Sequence, residues 1–217
     1  MFAALVFLSA FLLFQVQPIE GRFVLPWFGG TPAVWTTCLL FFQAALLGGY
    51  LYAHVLSTRF SLRAQTIVHA SLLLLSLLLL PIVPSAMWKP EGGQDPVGRI
   101  FVMLSATVGA PYFLLSATAP LLQRWFGAAS AGAPWRLYAV SNLGSFLALL
   151  SYPIVVEKLL PLRVQSAIWS IAYAAFALLV CALTWRMPRW ERPLEKPATG
   201  LAEDPGVRPP SYFRPCH

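Results

Sequence analysis

"FLLFQVQPIEGRFVLPWFGG", Phe11 to Gly30, and "FLLSATAPLLQRWFGA", Phe113 to Ala128, decide the reading of this chain. Each starts as a run fit for hydrocarbon, meets a proline (Pro18, Pro120), turns polar and reaches Trp-Phe-Gly. The phrases lie about a hundred residues apart. Two more pairs keep that spacing. Trp35 and Trp135 precede or open apolar runs, and "LRAQT" (Leu62–Thr66) answers "LRVQS" (Leu162–Ser166). The offsets, in order, are 102 for the prolines, 98 for the Trp-Phe-Gly, then 100 and 100. Collinear matches at corresponding boundaries predict a duplicated chain.

The composition sets the solvent. The chain is 58% hydrophobic and 11% charged, with a mean hydropathy of +0.69, whereas a soluble domain carries roughly 25% charge. Too little polar surface exists to cover it, so the sequence reads as an integral membrane protein whose first partner is the lipid bilayer. The net charge of +7 is scattered among apolar runs rather than gathered on one face, which argues against a nucleic-acid partner. Cys38 and Cys181 fall inside apolar runs. Cys216, in "PCH", lacks the second cysteine of a haem-attachment motif because position 213 is Phe. No cofactor and no metal site are expected. "MFAALVFLSAFLLF" has neither a positive n-region nor a small-x-small cleavage site, so it reads as an uncleaved first span.

Crossing about 30 Å of hydrocarbon takes about 20 helical residues, and Leu- and Ala-rich runs without period-two alternation mean helices. Charge-free windows, broken at "LPWFGGTP", predict six spans at about 2–19, 34–57, 65–84, 100–122, 136–156 and 164–185. Tryptophans cluster at their ends, as in an aromatic belt. The fold class is therefore an all-α polytopic membrane protein. Residues 1–185 form the transmembrane domain and 186–217 a polar, Pro-rich tail. Repeat 1 covers about 2–84 and repeat 2 about 100–185. Three spans per repeat is an odd number, so the halves would have inverted topology, an arrangement used by transporters. Arg59, Arg63, Arg124, Arg136, Arg186, Arg189, Arg192 and Lys196 fall on one side, against Arg22, Lys89, Arg99, Lys158 and Arg163 on the other. That bias places both termini in the cytoplasm.

Polar residues at the related helix ends are the candidate site. Gln15, Gln17, Glu20 and Arg22, with Thr118, Gln123 and Arg124 as counterparts, either face a cavity at the repeat interface or, for Glu20 and Arg22, form an interfacial pair that ends the first helix. Gln15, Gln17 and Thr118 are expected to face the bundle interior. Asn142 in "SNLGS" reads as interhelical glue or a substrate ligand, and Gln43 as similar glue. His54 and His69 have no acidic or thiol neighbours at metal-ligand spacing and are expected as hydrogen-bonded interfacial histidines. "SLLLLSLLLLP" (Ser71–Pro81) is expected to face lipid.

The phrases "FLLFQVQPIEGRFVLPWFGGTPAVWTTCLLFFQAALLGGYLYAH" and "LLSATAPLLQRWF…WRLYAVSNLGSFLALLSYPIVVE" resemble a bacterial family described as fused major facilitator/spermidine synthase-like membrane proteins. The resemblance covers roughly residues 5–185. It implies an inner-membrane protein with a transporter-like moiety followed by an aminopropyltransferase-like soluble domain. The sequence to His217 contains no glycine-rich G-x-G nucleotide loop after a strand, so no catalytic residue carries over and no enzyme is expected from these residues. Two functions follow as expectations. One is a half-transporter for a small solute, with polyamine-related compounds as candidates, completed as a homodimer or by other membrane subunits. The other is a non-catalytic accessory subunit of a larger membrane complex.

Overall fold

The computed structural model describes residues 1–90, 96–129 and 135–186; the expected tail lies almost wholly outside them. The described residues are helical, without strands, and six helical segments are long and apolar enough to cross a membrane.

The first span, α1 (Phe2–Phe28), is longer than the sequence suggests. It was expected to end near residue 19, but the helix runs on through Pro18 and Pro26 to Gly29, whose φ of 83° turns the chain. A proline removes one backbone donor, a loss that neighbouring helices make good in a membrane bundle. Glu20 and Arg22 thus lie within a helix long and apolar enough to cross a membrane rather than after it. The second span, α2 (Pro32–Arg59), starts at Thr31, whose Oγ1 accepts from Val34 N–H at 3.5 Å, with Pro32 in the first turn. Ser61 opens α3 (Leu62–Ser76) in the same way, and a 3₁₀ turn extends it to Leu79.

The fourth span is expected at 100–122 but begins at Pro96: α4 (Pro96–Leu104), one π-helical turn (Ser105–Gly109) and α5 (Ala110–Ala129). The fifth is α6 (Trp135–Ser151), a π-helical turn holding Pro153 (Tyr152–Val156) and the short α7 (Glu157–Leu159). The sixth is α8 (Leu162–Arg186).

Between hydrophobic helices in lipid, close packing replaces the hydrophobic effect as the adhesive. Here α1 is central: it packs on α6 most extensively and also on α5 and α8, while α2 packs on α5 and α3 on α8 and α5. Glycines set the two tightest seams. A Cβ on Gly144 of α6 would stand 2.6 Å from the Phe7 carbonyl oxygen of α1. A Cβ on Gly49 of α2 would stand 2.7 Å from the Phe113 carbonyl oxygen of α5 and overlap the Ser116 hydroxyl.

The Ser71–Pro81 run is not uniformly lipid-facing. Leu74, Leu75 and Leu78 are exposed, but Leu73 and Ser76 are buried, and Ser76 Oγ lies 2.6 Å from the Tyr173 hydroxyl of α8. The tryptophans also divide. Trp35, Trp135 and Trp185 are exposed near helix ends, whereas Trp125 is fully buried. The second Trp-Phe-Gly is therefore helical packing and not a turn.

Candidate functional site: two cavities along a groove

Because α2 leans on α5 and α6 on α1, the α1–α5 pair floors a groove walled by α2 and α6. Two cavities occupy it. One, of about 480 Å³, lies beside the second half of α1 and is lined by Gln17, Arg22, Trp35, Cys38, Tyr152 and Glu157 among others. The other, of about 660 Å³, lies beside the first half of α1 and is lined by Tyr50, Ser116, Gln123, Tyr138, Asn142 and Ser145 among others. Successive turns rise about 5.4 Å, so Ser9–Phe14 and Gln17–Leu25 place the cavities at different depths. Pro18 and Tyr152 line the first, and Pro120 and Tyr50 line the second.

The sequence candidates disperse over this frame. Gln15 is buried in the α1–α6 seam, where its Nε2 donates to the Ala148 carbonyl at 3.1 Å and to Ser151 Oγ at 2.9 Å. Gln17, half-buried on the cavity wall, donates to the Tyr112 hydroxyl at 3.2 Å. Thr118 is fully buried. Its hydroxyl donates to the Leu114 carbonyl at 2.6 Å, so toward His69 Nε2, 2.9 Å away, it acts as acceptor. His69 Nε2–H is then the donor, and Nδ1 is turned to the Tyr52 hydroxyl at 3.5 Å. It is buried rather than interfacial, while His54 is exposed. No group of three or more His, Cys, Asp or Glu side chains converges among the described residues.

The Glu20–Arg22 pairing is corrected. At two residues apart on a helix the side chains diverge. Arg22 Nη1 instead reaches Glu157 Oε1 of α7 at 3.8 Å, with both side chains about two-fifths exposed (38% and 45%). Glu20 is fully buried, and neither of its carboxylate oxygens has a hydrogen-bond partner among the described residues. Arg124 is exposed. Asn142 and Gln43 are exposed as well, and neither side chain forms a hydrogen bond among the described residues. Asn142 is thus cavity lining rather than glue.

Several partners were not anticipated. Gln65 Nε2 donates to the Phe60 carbonyl at 2.9 Å and to the Ser57 carbonyl at 3.5 Å, closing the end of α2, while its Oε1 accepts from Trp125 Nε1 at 3.1 Å. Gln165 repeats the arrangement: Nε2 to the Leu160 carbonyl at 2.8 Å and the Val156 carbonyl at 3.3 Å, Oε1 from the Tyr152 hydroxyl at 3.1 Å. The recurrent Leu-Arg-x-Gln-(Thr/Ser) phrase pointed to these glutamines. Trp169 Nε1 donates to the Leu12 carbonyl at 2.9 Å and ties α8 to α1.

Comparison with protein-family models, curated proteins and solved structures gives no match.

Proposed function

We propose that this chain is half of a small-solute transporter in the bacterial inner membrane, built from two inverted three-helix repeats, with its groove completed by a second copy or by other membrane subunits. The observation that carries this reading is the pair of cavities at different depths in one groove, each with one of the paired prolines (Pro18, Pro120) and one of two tyrosines at the same 102-residue offset (Tyr152, Tyr50) in its wall. Cavities beside repeat-related helix segments at two depths fit alternating access, in which two repeats rock around a site between them.

Other features support the duplication. The α1–α6 seam has its counterpart in α2–α5, and α1–α8 in α3–α5. Gly144 and Gly49 dock on the first helix of the opposite repeat. Gln65 and Gln165 cap the preceding helix alike, while their aromatic partners differ: Trp125 of the opposite repeat for Gln65 and Tyr152 of the same repeat for Gln165. The groove walls fit completion by a partner, since α2 and α6 present Leu39, Leu47, Tyr50, Tyr138 and Phe146 outward. The aromatic and mixed-charge lining suits a cationic or amphipathic solute, and the resemblance to fused transporter/spermidine synthase-like proteins makes polyamines the first substrates to test.

Reconstitution of the purified chain in proteoliposomes tests the proposal. Accumulation of a labelled polyamine against its gradient is the expected result, and none for any polyamine or related amine sinks the polyamine version. The same exposed α2 and α6 walls favour the accessory-subunit reading. Native co-purification with a stoichiometric, different membrane chain would replace the half-transporter by that reading, whereas a lone monomer counts against both.

A further inference from the structure

Glu20 differs from the other ionisable side chains described. It is fully buried, neither carboxylate oxygen meets a donor among the described residues, and Arg22 is turned away to Glu157. Eight residues separate it from the end of α1, about 12 Å of helix, so it lies inside the spanning segment. An ionised carboxylate there has neither counter-ion nor hydrogen bond and is far costlier than the neutral acid.

The surroundings narrow what Glu20 can bind. A divalent metal cation needs several converging ligands, about six oxygens for calcium, and no group of three or more His, Cys, Asp or Glu side chains converges among the described residues. An organic amine needs room, yet Glu20 is not on the cavity wall; its neighbours Gln17 and Gly21 are. A proton needs neither ligands nor volume. We propose that Glu20 is a proton-binding site that couples protonation to opening of the groove, an inference that rests on the transporter reading above.

In the closed arrangement the carboxyl is neutral. When the wall at Gln17 and Gly21 parts, water reaches it, the O–H bond breaks, the proton passes to water and the carboxylate remains, hydrated. Reprotonation from hydronium reverses the step and allows reburial. Titratable groups described on the elements packed against α1 are placed otherwise. Cys38 of α2 lies within electrostatic range, and Tyr112 of α5 is engaged by Gln17. Tyr152 and Glu157 of the fifth span share the cavity with Arg22. Tyr173 of α8 is bonded to Ser76, and Arg99 of α4 donates to the Met87 and Trp88 carbonyls.

The test uses the full chain in lipid nanodiscs. Infrared spectra at neutral pH should contain a protonated-carboxyl band that Glu20→Gln and Glu20→Leu both remove and Glu157→Gln leaves. In parallel, with Cys181→Ala and Cys216→Ala introduced into every form, a water-soluble maleimide reports the opening at Cys38, which is buried beside Glu20 and lines the cavity. Thiolate formation raises labelling with pH in every form, and less in wild type than in the variants because the Glu20 carboxylate repels a Cys38 thiolate, so it cannot produce a wild-type excess. Above it, wild-type labelling should climb with pH, up to about tenfold per unit for one linked proton, and this excess should vanish in both Glu20 variants. A missing band, a band that survives Glu20→Gln, or identical pH dependence in wild type and both variants overturns the proposal. If both readouts hold while no substrate is carried, the transporter reading falls and the proton site stands.

Discussion

Adding one methyl at Gly144 should push α6 off α1. The new Cβ would lie 2.6 Å from the Phe7 carbonyl oxygen and 3.4 Å from Ala10 Cβ. Both belong to the α1 backbone or its stub, so no rotamer change relieves the contact. A carbon–oxygen approach relaxes to about 3.3 Å, which means the helices separate locally by about 0.7 Å. A gap of that size forfeits a quarter to a half of the dispersion well of atoms along the seam, and overpacking of this kind costs about 1–3 kcal/mol. The Gln15 bonds to the Ala148 carbonyl and Ser151, at 3.1 and 2.9 Å, would lengthen beyond hydrogen-bonding range if they opened with the seam, adding about 1 kcal/mol. Gly144→Ala is thus expected to lose about 2–4 kcal/mol. Equilibrium unfolding in mixed micelles, followed by tryptophan fluorescence, measures it. Gly30→Ala is the reference, because its Cβ would meet only Leu25 Cδ2 at 4.0 Å. If Gly144→Ala matches Gly30→Ala within about 0.5 kcal/mol, close backbone approach is not what seats α6.

Gly49→Ala should behave alike, given its 2.7 Å approach to the Phe113 carbonyl and overlap with Ser116; the same unfolding assay checks it. Gln65→Ala and Gln165→Ala each strip the capped carbonyls and a buried aromatic of a partner, so each should lose about 1–3 kcal/mol; a clear loss for one and none for the other would undo their equivalence. The Arg22–Glu157 pair is part-exposed at 3.8 Å, so Arg22→Gln should change stability by less than about 1 kcal/mol, with any larger effect appearing in solute uptake. Asn142→Ala should leave stability within about 0.5 kcal/mol, since that side chain bonds nothing among the described residues and lines a cavity; a substantial loss would restore the interhelical role.

The number of long apolar helices was legible because each is written as a long, nearly uncharged run. Span ends were less so. Charge marked the end of the first span at residue 19, but a buried side chain and a cross-helix ion pair let α1 carry Glu20 and Arg22 within its length. Composition likewise placed Trp125 in an interfacial belt, when a single hydrogen bond to Gln65 keeps it inside. His69 looked interfacial for the same reason, and Thr118 and Tyr52 make its burial affordable.

By itself, the sequence determined the helical class, six helices long and apolar enough to cross a membrane and a recurring phrase, because hydropathy and local spacing are properties of neighbours along the chain. Which polar groups meet was decided by the tertiary structure alone. Gln15 reaches Ser151, His69 meets Thr118, Arg22 pairs with Glu157, and Glu20 pairs with no described residue. Such partners lie up to 136 residues apart, and only the close docking of α6 on α1 and α2 on α5 fixes them.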